Sequence, residues 1–180
     1  MRRFAVLAAI GIAVIGVSDS MAQNPPKPAA PLSPELKALQ GFWKPLSIMY
    51  EGKPEVTVEG MKKITGVFDK AEYYMYYVDR SQEQPNVYRL AQMNVTLDAT
   101  TNPKTFVFEC VTGPLKGEKR HGIYELAGNE LKVCYGPADK PRPTAFASAA
   151  GSGHFLEVWA RQPKEKEEKP QTPSQPQPPK

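Results

Sequence analysis

The fold is decided by a short stretch, Leu39-Gln40-Gly41-Phe42-Trp43-Lys44, which opens a β-strand directly after a helical turn. The helix begins at Ser33-Pro34-Glu35, which supplies an N-cap serine, a proline at the first helical position and an acid in the first turn. Gly41 ends this helix, which is therefore short enough to plug one end of a barrel. The first predicted strand runs from Gly41 to Tyr50. Pro45 lacks a backbone donor and favours an edge or bulge position within it.

Seven more segments alternate apolar and polar residues or carry strand-forming residues between turn signals. The clearest turn is Gly128-Asn129, where a two-residue loop pairs Leu126 with Leu131, Glu125 with Lys132 and Tyr124 with Val133. Residues 55–60 remain unassigned. The predicted strands after the first are 62–69, 72–79, 86–98, 105–111, 119–126, one ending at Gly136, and 154–161.

Eight strands with mostly short connections predict an all-β fold, an eight-stranded antiparallel up-and-down barrel with a short N-terminal helix. Closing the meander on itself removes its exposed edges. The interior of such a barrel is either filled by side chains or holds one small ligand.

The ends of the chain have a different composition from the barrel segment at 33–162. Residues 1–22 resemble a signal peptide, with Arg2 and Arg3 before an apolar run and Ser20-Met21-Ala22 at the cleavage site, so we expect export to the periplasm, cell envelope or medium. A proline-rich linker follows at 23–32. The tail, 163–180, is rich in Pro, Gln, Lys and Glu and predicts disorder. We expect no stable membrane anchor after cleavage. A dispersed net charge of +4 argues against nucleic acid as a partner.

Several segments together resemble a known family. Gly41-x-Trp43 and Arg161 look like the calycin pattern of lipocalins and fatty-acid-binding proteins, which implies a structural tryptophan beneath a basic side chain. More closely, residues 36–162 resemble an uncharacterised planctomycete-type lipocalin-like domain of exported bacterial proteins. The resemblance departs at Pro45 and around 70–92, and it implies no established activity. The matching segments are Leu39–Lys44, Thr112-Gly113-Pro114 with Lys116-Gly117, Gly122–Leu126, Arg142-Pro143-Thr144-x-Phe146 and Gly151–His154.

Aromatic and sulfur-containing side chains on the predicted inner face form a candidate ligand site. Arg89 joins them if its strand alternates regularly, and it then offers a cation to an anionic ligand group. The alternatives are ordinary strand aromatics on both faces and an Arg89 beside a bulge with its head in water. The candidate ligand-binding residues are Tyr73, Met75, Tyr77, Arg89, Phe106 and Phe108.

No catalytic constellation appears in the sequence, which contains no nucleophile elbow, P-loop or dinucleotide fingerprint. His121 and His154 lack clustered metal-ligating neighbours, so we expect neither a metal nor a cofactor nor enzymatic activity. Cys110 and Cys134 lie on different faces of non-adjacent predicted strands, which predicts free thiols. Glu157 shares a face with Arg161 and, if inward, needs a partner or an intervening bulge.

Two functions are consistent with this pattern. The first is an envelope barrel that binds a small apolar or amphiphilic ligand. The second is a barrel with a filled core that serves as a structural or protein-interaction module, with loop 137–153 or the C-terminal tail as its contact surface.

Overall fold

The computed structural model describes residues 31–163 of the chain. These residues form nine strands and two short helices. The predicted signal peptide, nearly all of the proline-rich linker and all but the first residue of the C-terminal tail lie outside the described residues. The elements are α1 (Pro34–Leu39), β1 (Gly41–Tyr50), β2 (Lys53–Pro54), α2 (Val58–Lys63), β3 (Ile64–Asp69), β4 (Glu72–Asp79), β5 (Asn86–Asp98), β6 (Lys104–Cys110), β7 (Lys119–Ala127), β8 (Glu130–Tyr135) and β9 (Phe155–Arg161).

The strands form one antiparallel sheet that closes into a barrel. Its order is β2-β1-β3-β4-β5-β6-β7-β8-β9, and β1 also pairs with β9. Eight strands therefore make the barrel and β2 is a two-residue addition beside the end of β1. The predicted eight-stranded antiparallel barrel with a short N-terminal helix is confirmed.

The sequence pattern predicted most strand positions. Predicted strands 41–50, 72–79 and 86–98 coincide with β1, β4 and β5. The register of the Gly128-Asn129 hairpin is also confirmed, with Leu126 opposite Leu131 and Tyr124 opposite Val133. The pattern missed α2. Residues 55–60 were left unassigned and a strand was predicted from Lys62, whereas the helix spans Val58–Lys63.

The barrel has two different ends. At the plugged end, α1 covers the first residues of β1, and Leu39 of this helix is buried against the core. At the open end lie the last residues of β1 and β8, the first residues of β9 and helix α2. Both limits of the described domain, α1 and the end of β9, are at the plugged end.

Two β-bulges change the direction of side chains. One interrupts the β1–β9 pairing between Pro45 and Ser47, which confirms the bulge position expected of a proline that cannot donate to the ladder. The other interrupts the β4–β5 pairing, where Met75 lies opposite Ala91 and Tyr76 lies opposite Arg89. Leu90 is the extra residue, so every residue of β5 before it changes face relative to regular alternation.

Candidate functional site

The plugged end is organised around Trp43, whose side chain is fully buried. Its indole Nε1 donates to the carbonyl oxygen of Leu39 at 2.9 Å, which ties the strand to helix α1. The Arg161 guanidinium lies 4.2 Å from the centroid of the Trp43 ring. It also donates to the carbonyl oxygens of Gln40, at 2.7 Å, and Ala38. Gly41, Trp43 and Arg161 therefore form the structural end of the barrel that the sequence predicted.

Aromatic rings fill the middle of the barrel. Tyr73, Phe106 and Phe108, three of the predicted ligand-binding residues, come together: the centroids of Phe106 and Phe108 are 4.3 Å apart, and those of Tyr73 and Phe108 are 5.5 Å apart. Met75 packs against the same core and is partly buried. Two interior cavities of about 10 Å³ each lie in this part of the barrel. Each is the size of one water molecule.

A carboxyl group lies inside this apolar interior. Glu157 is 5% exposed, and it faces inward between Ile48 and Val133 in the sheet. Its two oxygens accept hydrogen bonds from Tyr135 Oη at 2.7 Å and from Trp159 Nε1 at 2.8 Å. Burial raises the pKa of the Glu157 carboxyl, and the two hydrogen bonds partly oppose this shift. The predicted need for a partner is met by these two donors, without a bulge in β9.

The remaining predicted ligand residues lie away from this interior. Tyr77 is half-buried at the open end, where its ring faces Tyr88 at 6.3 Å and Lys63 at 5.6 Å. Arg89 is exposed. The bulge at Leu90 places it opposite Tyr76, on the outer face. The interior placement of Arg89 required regular alternation and is therefore wrong, whereas the alternative, an Arg89 beside a bulge with its head in water, matches the structure.

An inward-facing arginine exists on a different strand. Arg120 lies opposite Phe108 across the β6–β7 ladder and so shares its face. Its Nε is 3.4 Å from a Glu118 carboxylate oxygen, and its side chain is 18% exposed. Arg120 therefore lies at the open end of the barrel, where Glu118 is its ion-pair partner but its buried Nε makes no hydrogen bond within the described residues. Its charge also opposes the rise that burial causes in the pKa of the Glu157 carboxyl.

Half of β5 forms an unpaired edge, which we call the β5 edge (Asn86–Ala91). β5 pairs with β4 from Asn86 onward, whereas its pairing with β6 begins only at Met93. The backbone oxygen of Gln92 accepts a hydrogen bond from Val111 N–H at 2.8 Å. Among the described residues, the segment before Gln92 has a strand neighbour on one side only. Residues 86–90 are all exposed, and three of them carry mainly apolar side chains: Val87 at 60%, Tyr88 at 55% and Leu90 at 54%.

Loop 137–153, an expected contact surface, is attached to the barrel. Gly52 N–H donates to Ser148 Oγ at 3.2 Å, and Ser148 Oγ donates to the His154 carbonyl oxygen at 2.7 Å. Gly153 N–H donates to a Glu51 carboxylate oxygen at 2.9 Å. The exposed residues of this loop are mostly alanines and polar or charged residues such as Asp139, Lys140 and Arg142, so the loop carries none of the large apolar side chains exposed in the described residues.

The two cysteines are buried as free thiols, and β7 separates their strands in the sheet. Burial raises the pKa of both thiols, and Cys134 Sγ donates to the Ala147 carbonyl oxygen at 3.3 Å. Within residues 31–163, no group of three or more His, Cys, Asp or Glu side chains is placed to hold a metal ion. No helix in this same range is long and apolar enough to cross a membrane.

The sequence prediction missed Tyr135 and Trp159 as partners of Glu157, although a signal for both was present. Counting back from Arg161 in steps of two places Trp159 and Glu157 on one face, and the same alternation carries Leu131 and Val133 on to Tyr135. The β5 edge had no comparable signal, because a bulge and the length of a neighbouring strand create it.

In comparisons with known proteins, the sequence matches no protein-family model, and no curated protein is similar enough to serve as a relative.

Proposed function

We propose that this protein is an exported lipocalin-like barrel with a filled core, and that it acts as a protein-interaction module through the β5 edge. One observation carries the proposal: three exposed apolar side chains fall within four consecutive residues of a strand edge that no described strand covers. An uncovered edge with such side chains is a template for another strand.

The filled interior supports contact by the surface rather than by the inside of the barrel. Sites for small apolar molecules have volumes of about 300–1,000 Å³. Each interior cavity here measures about 10 Å³. Binding of an apolar or amphiphilic ligand by Tyr73, Met75, Phe106 and Phe108 stays a prediction, and it requires these packed side chains to move apart.

The two ends of the β5 edge limit the length of a strand that could pair with it. A partner segment would pair with the free backbone groups of Asn86–Ala91 and would contact Val87 and Tyr88 on opposite faces. Pro85 precedes the edge and the bulge at Leu90 interrupts it, so the docked segment is about five residues long.

The lipocalin-like family and the export of the protein are part of the same proposal. The closed barrel, with Trp43 beneath Arg161, supports the resemblance to the planctomycete-type lipocalin-like domain. The signal-peptide pattern of residues 1–22 supports export.

Site-specific photocrosslinking in the cell envelope tests the proposal. A crosslinking amino acid replaces Tyr88 in the full-length chain, and a control chain carries it at Phe42, which is equally exposed, at 56%, but lies at the plugged end. We expect a discrete adduct from position 88 and none from position 42. The adduct should disappear when Val87→Lys and Leu90→Lys place charges on the edge. Equal crosslinking at both positions, or an adduct unaffected by the two lysines, would contradict the proposal.

A further inference from the structure

The Tyr73 hydroxyl is a buried polar group without a partner. Tyr73 is 5% exposed, and its Oη has no hydrogen-bond partner among the described residues. Burial, and then the nearby Glu157, raise the pKa of this hydroxyl, so it is a neutral donor. A buried donor without an acceptor is rare in folded proteins because it has lost its hydrogen bonds to water.

The position of the Tyr73 ring prevents a simple rearrangement. The ring stacks on Phe108 with an interplanar angle of 12° and also meets Phe68 at 4.8 Å between centroids. A methyl group at Gly66 would lie 3.0 Å from Tyr73 Oη, so the hydroxyl occupies space that this glycine leaves open. Rotation of a phenol ring about its own axis does not move Oη. The hydroxyl is therefore held where it is.

The Glu157 carboxyl retains capacity to accept another hydrogen bond. It accepts one from Tyr135 Oη and one from Trp159 Nε1. A carboxylate has about four lone-pair positions. Within the described residues no cation lies at ion-pair distance from Glu157. The carboxyl and Tyr73 line the same cavity, of about 10 Å³, which we call the Glu157 cavity.

We propose that the Glu157 cavity is a binding site for one small hydrogen-bonding molecule, a water, that accepts from Tyr73 Oη and donates to the Glu157 carboxyl. The cavity has the volume of one water molecule and offers a donor and an acceptor, which are the two conditions for an ordered internal water. The bound water joins Tyr73, Glu157, Tyr135 and Trp159 into one polar network that crosses the interior from β4 to β8 and β9.

The barrel contains its own control. A second cavity, the Tyr124 cavity, also measures about 10 Å³. It is lined by Tyr124, whose buried Oη likewise has no partner among the described residues, and otherwise by apolar side chains. A water there would find one polar group instead of two, and apolar cavities stay dry. The Glu157 cavity should therefore hold an ordered water and the Tyr124 cavity should not.

A crystal structure of the full chain, at a resolution of about 1.5 Å or better, tests this inference. We expect a density peak within about 2.6–3.2 Å of both Tyr73 Oη and a Glu157 oxygen, and none in the Tyr124 cavity. Tyr73→Phe removes one partner without changing ring packing, and the occupancy of the peak should fall at least several-fold. Tyr124→Phe should leave it unchanged.

Solution NMR gives an independent reading. The Tyr73 hydroxyl proton should be slow to exchange and should show cross-relaxation with a long-lived water, and this signal should vanish in Tyr73→Phe. An empty Glu157 cavity, equal density in both cavities, or a direct hydrogen bond from Tyr73 to Glu157 would overturn the inference. None of these outcomes depends on whether the β5 edge binds a partner.

Discussion

The plugged and the open ends of the barrel differ in how completely their groups are paired. At the plugged end, Trp43 and Arg161 are joined to α1 by hydrogen bonds, and the Gln40 amide exchanges two hydrogen bonds with the turn at Lys70. At the open end, one edge of β5 has no strand neighbour within residues 31–163, and this edge carries exposed apolar side chains. We therefore expect the plugged end to maintain the fold, and the proposed contacts of the protein lie at the open end.

The largest expected effect comes from Trp43→Ala. This side chain is fully buried, and its removal should lower the free energy of unfolding by about 3–5 kcal/mol through lost burial and a residual cavity. Denaturant unfolding followed by circular dichroism measures it. The matched control is the neighbouring Phe42→Ala, which is 56% exposed on the opposite face of the strand and should cost less than about 0.5 kcal/mol. Equal losses would show that the two faces are not divided as described.

Arg161→Met should have the next largest effect. The change removes a cation 4.2 Å from the Trp43 ring and leaves two carbonyl oxygens without their donor. We expect a loss of about 1–3 kcal/mol. Arg161→Lys should recover part of it, since lysine keeps the charge without the planar guanidinium. The exposed Arg142→Met serves as the control, and a loss as large as that of Arg161→Met would contradict this role.

The same two ends explain how far the sequence predicts the fold. At the plugged end, Gly41, Trp43 and the helix cap are local signals, and β1 alternates regularly as far as Pro45, so the predicted bounds of β1 were right. In the Gly128-Asn129 hairpin, turn chemistry and hydrophobic pattern agree and fix the register.

At the open end, local signals conflict. Val58–Lys63 is a short helix between strands and is capped by Thr57. Its helix signal in the sequence is weak, because so short a helix depends on tertiary contacts for its stability. The bulge at Leu90 results from the pairing of β4 with β5, and no single residue in the sequence predicts it. Of the two alternatives for Arg89, the structure shows the exposed side chain beside a bulge, whereas Arg120, which does face inward, was not predicted. The hydrogen bonds of Glu157 join side chains of β8 and β9, and the alternation along these two strands did indicate a shared face for them.

The next prediction concerns the Glu157 carboxyl, which lies in the barrel interior. Burial raises the pKa of Glu157 in the folded protein. Its contribution to stability is therefore fully present below the unfolded pKa, about 4.3 for glutamate, and is lost as the pH rises through the folded pKa. Glu157→Gln stays neutral, so its free energy of unfolding should lack this decline and should equal or exceed the wild-type value at neutral pH.

Denaturant titrations between pH 4 and pH 8 test this difference. In the Glu157→Gln variant, the Tyr135 hydroxyl can accept a hydrogen bond from the glutamine nitrogen. The exposed Glu125→Gln controls for loss of a charge. A wild-type protein and a Glu157→Gln variant with parallel pH profiles would show that the carboxyl titrates alike in the folded and unfolded chains.

The smallest effect on stability should come from the β5 edge. Val87→Lys with Leu90→Lys replaces two exposed side chains that the core does not use, so the free energy of unfolding should change by less than about 0.5 kcal/mol for each. The same double variant should abolish the crosslink from position 88, because charged side chains on an edge oppose strand addition. A large loss of stability would mean that the edge belongs to the core, and the open end would then be a second structural end. A stable protein without the crosslink would separate the role of the β5 edge from that of the core, because Trp43→Ala should lower stability by removing a side chain that is fully buried.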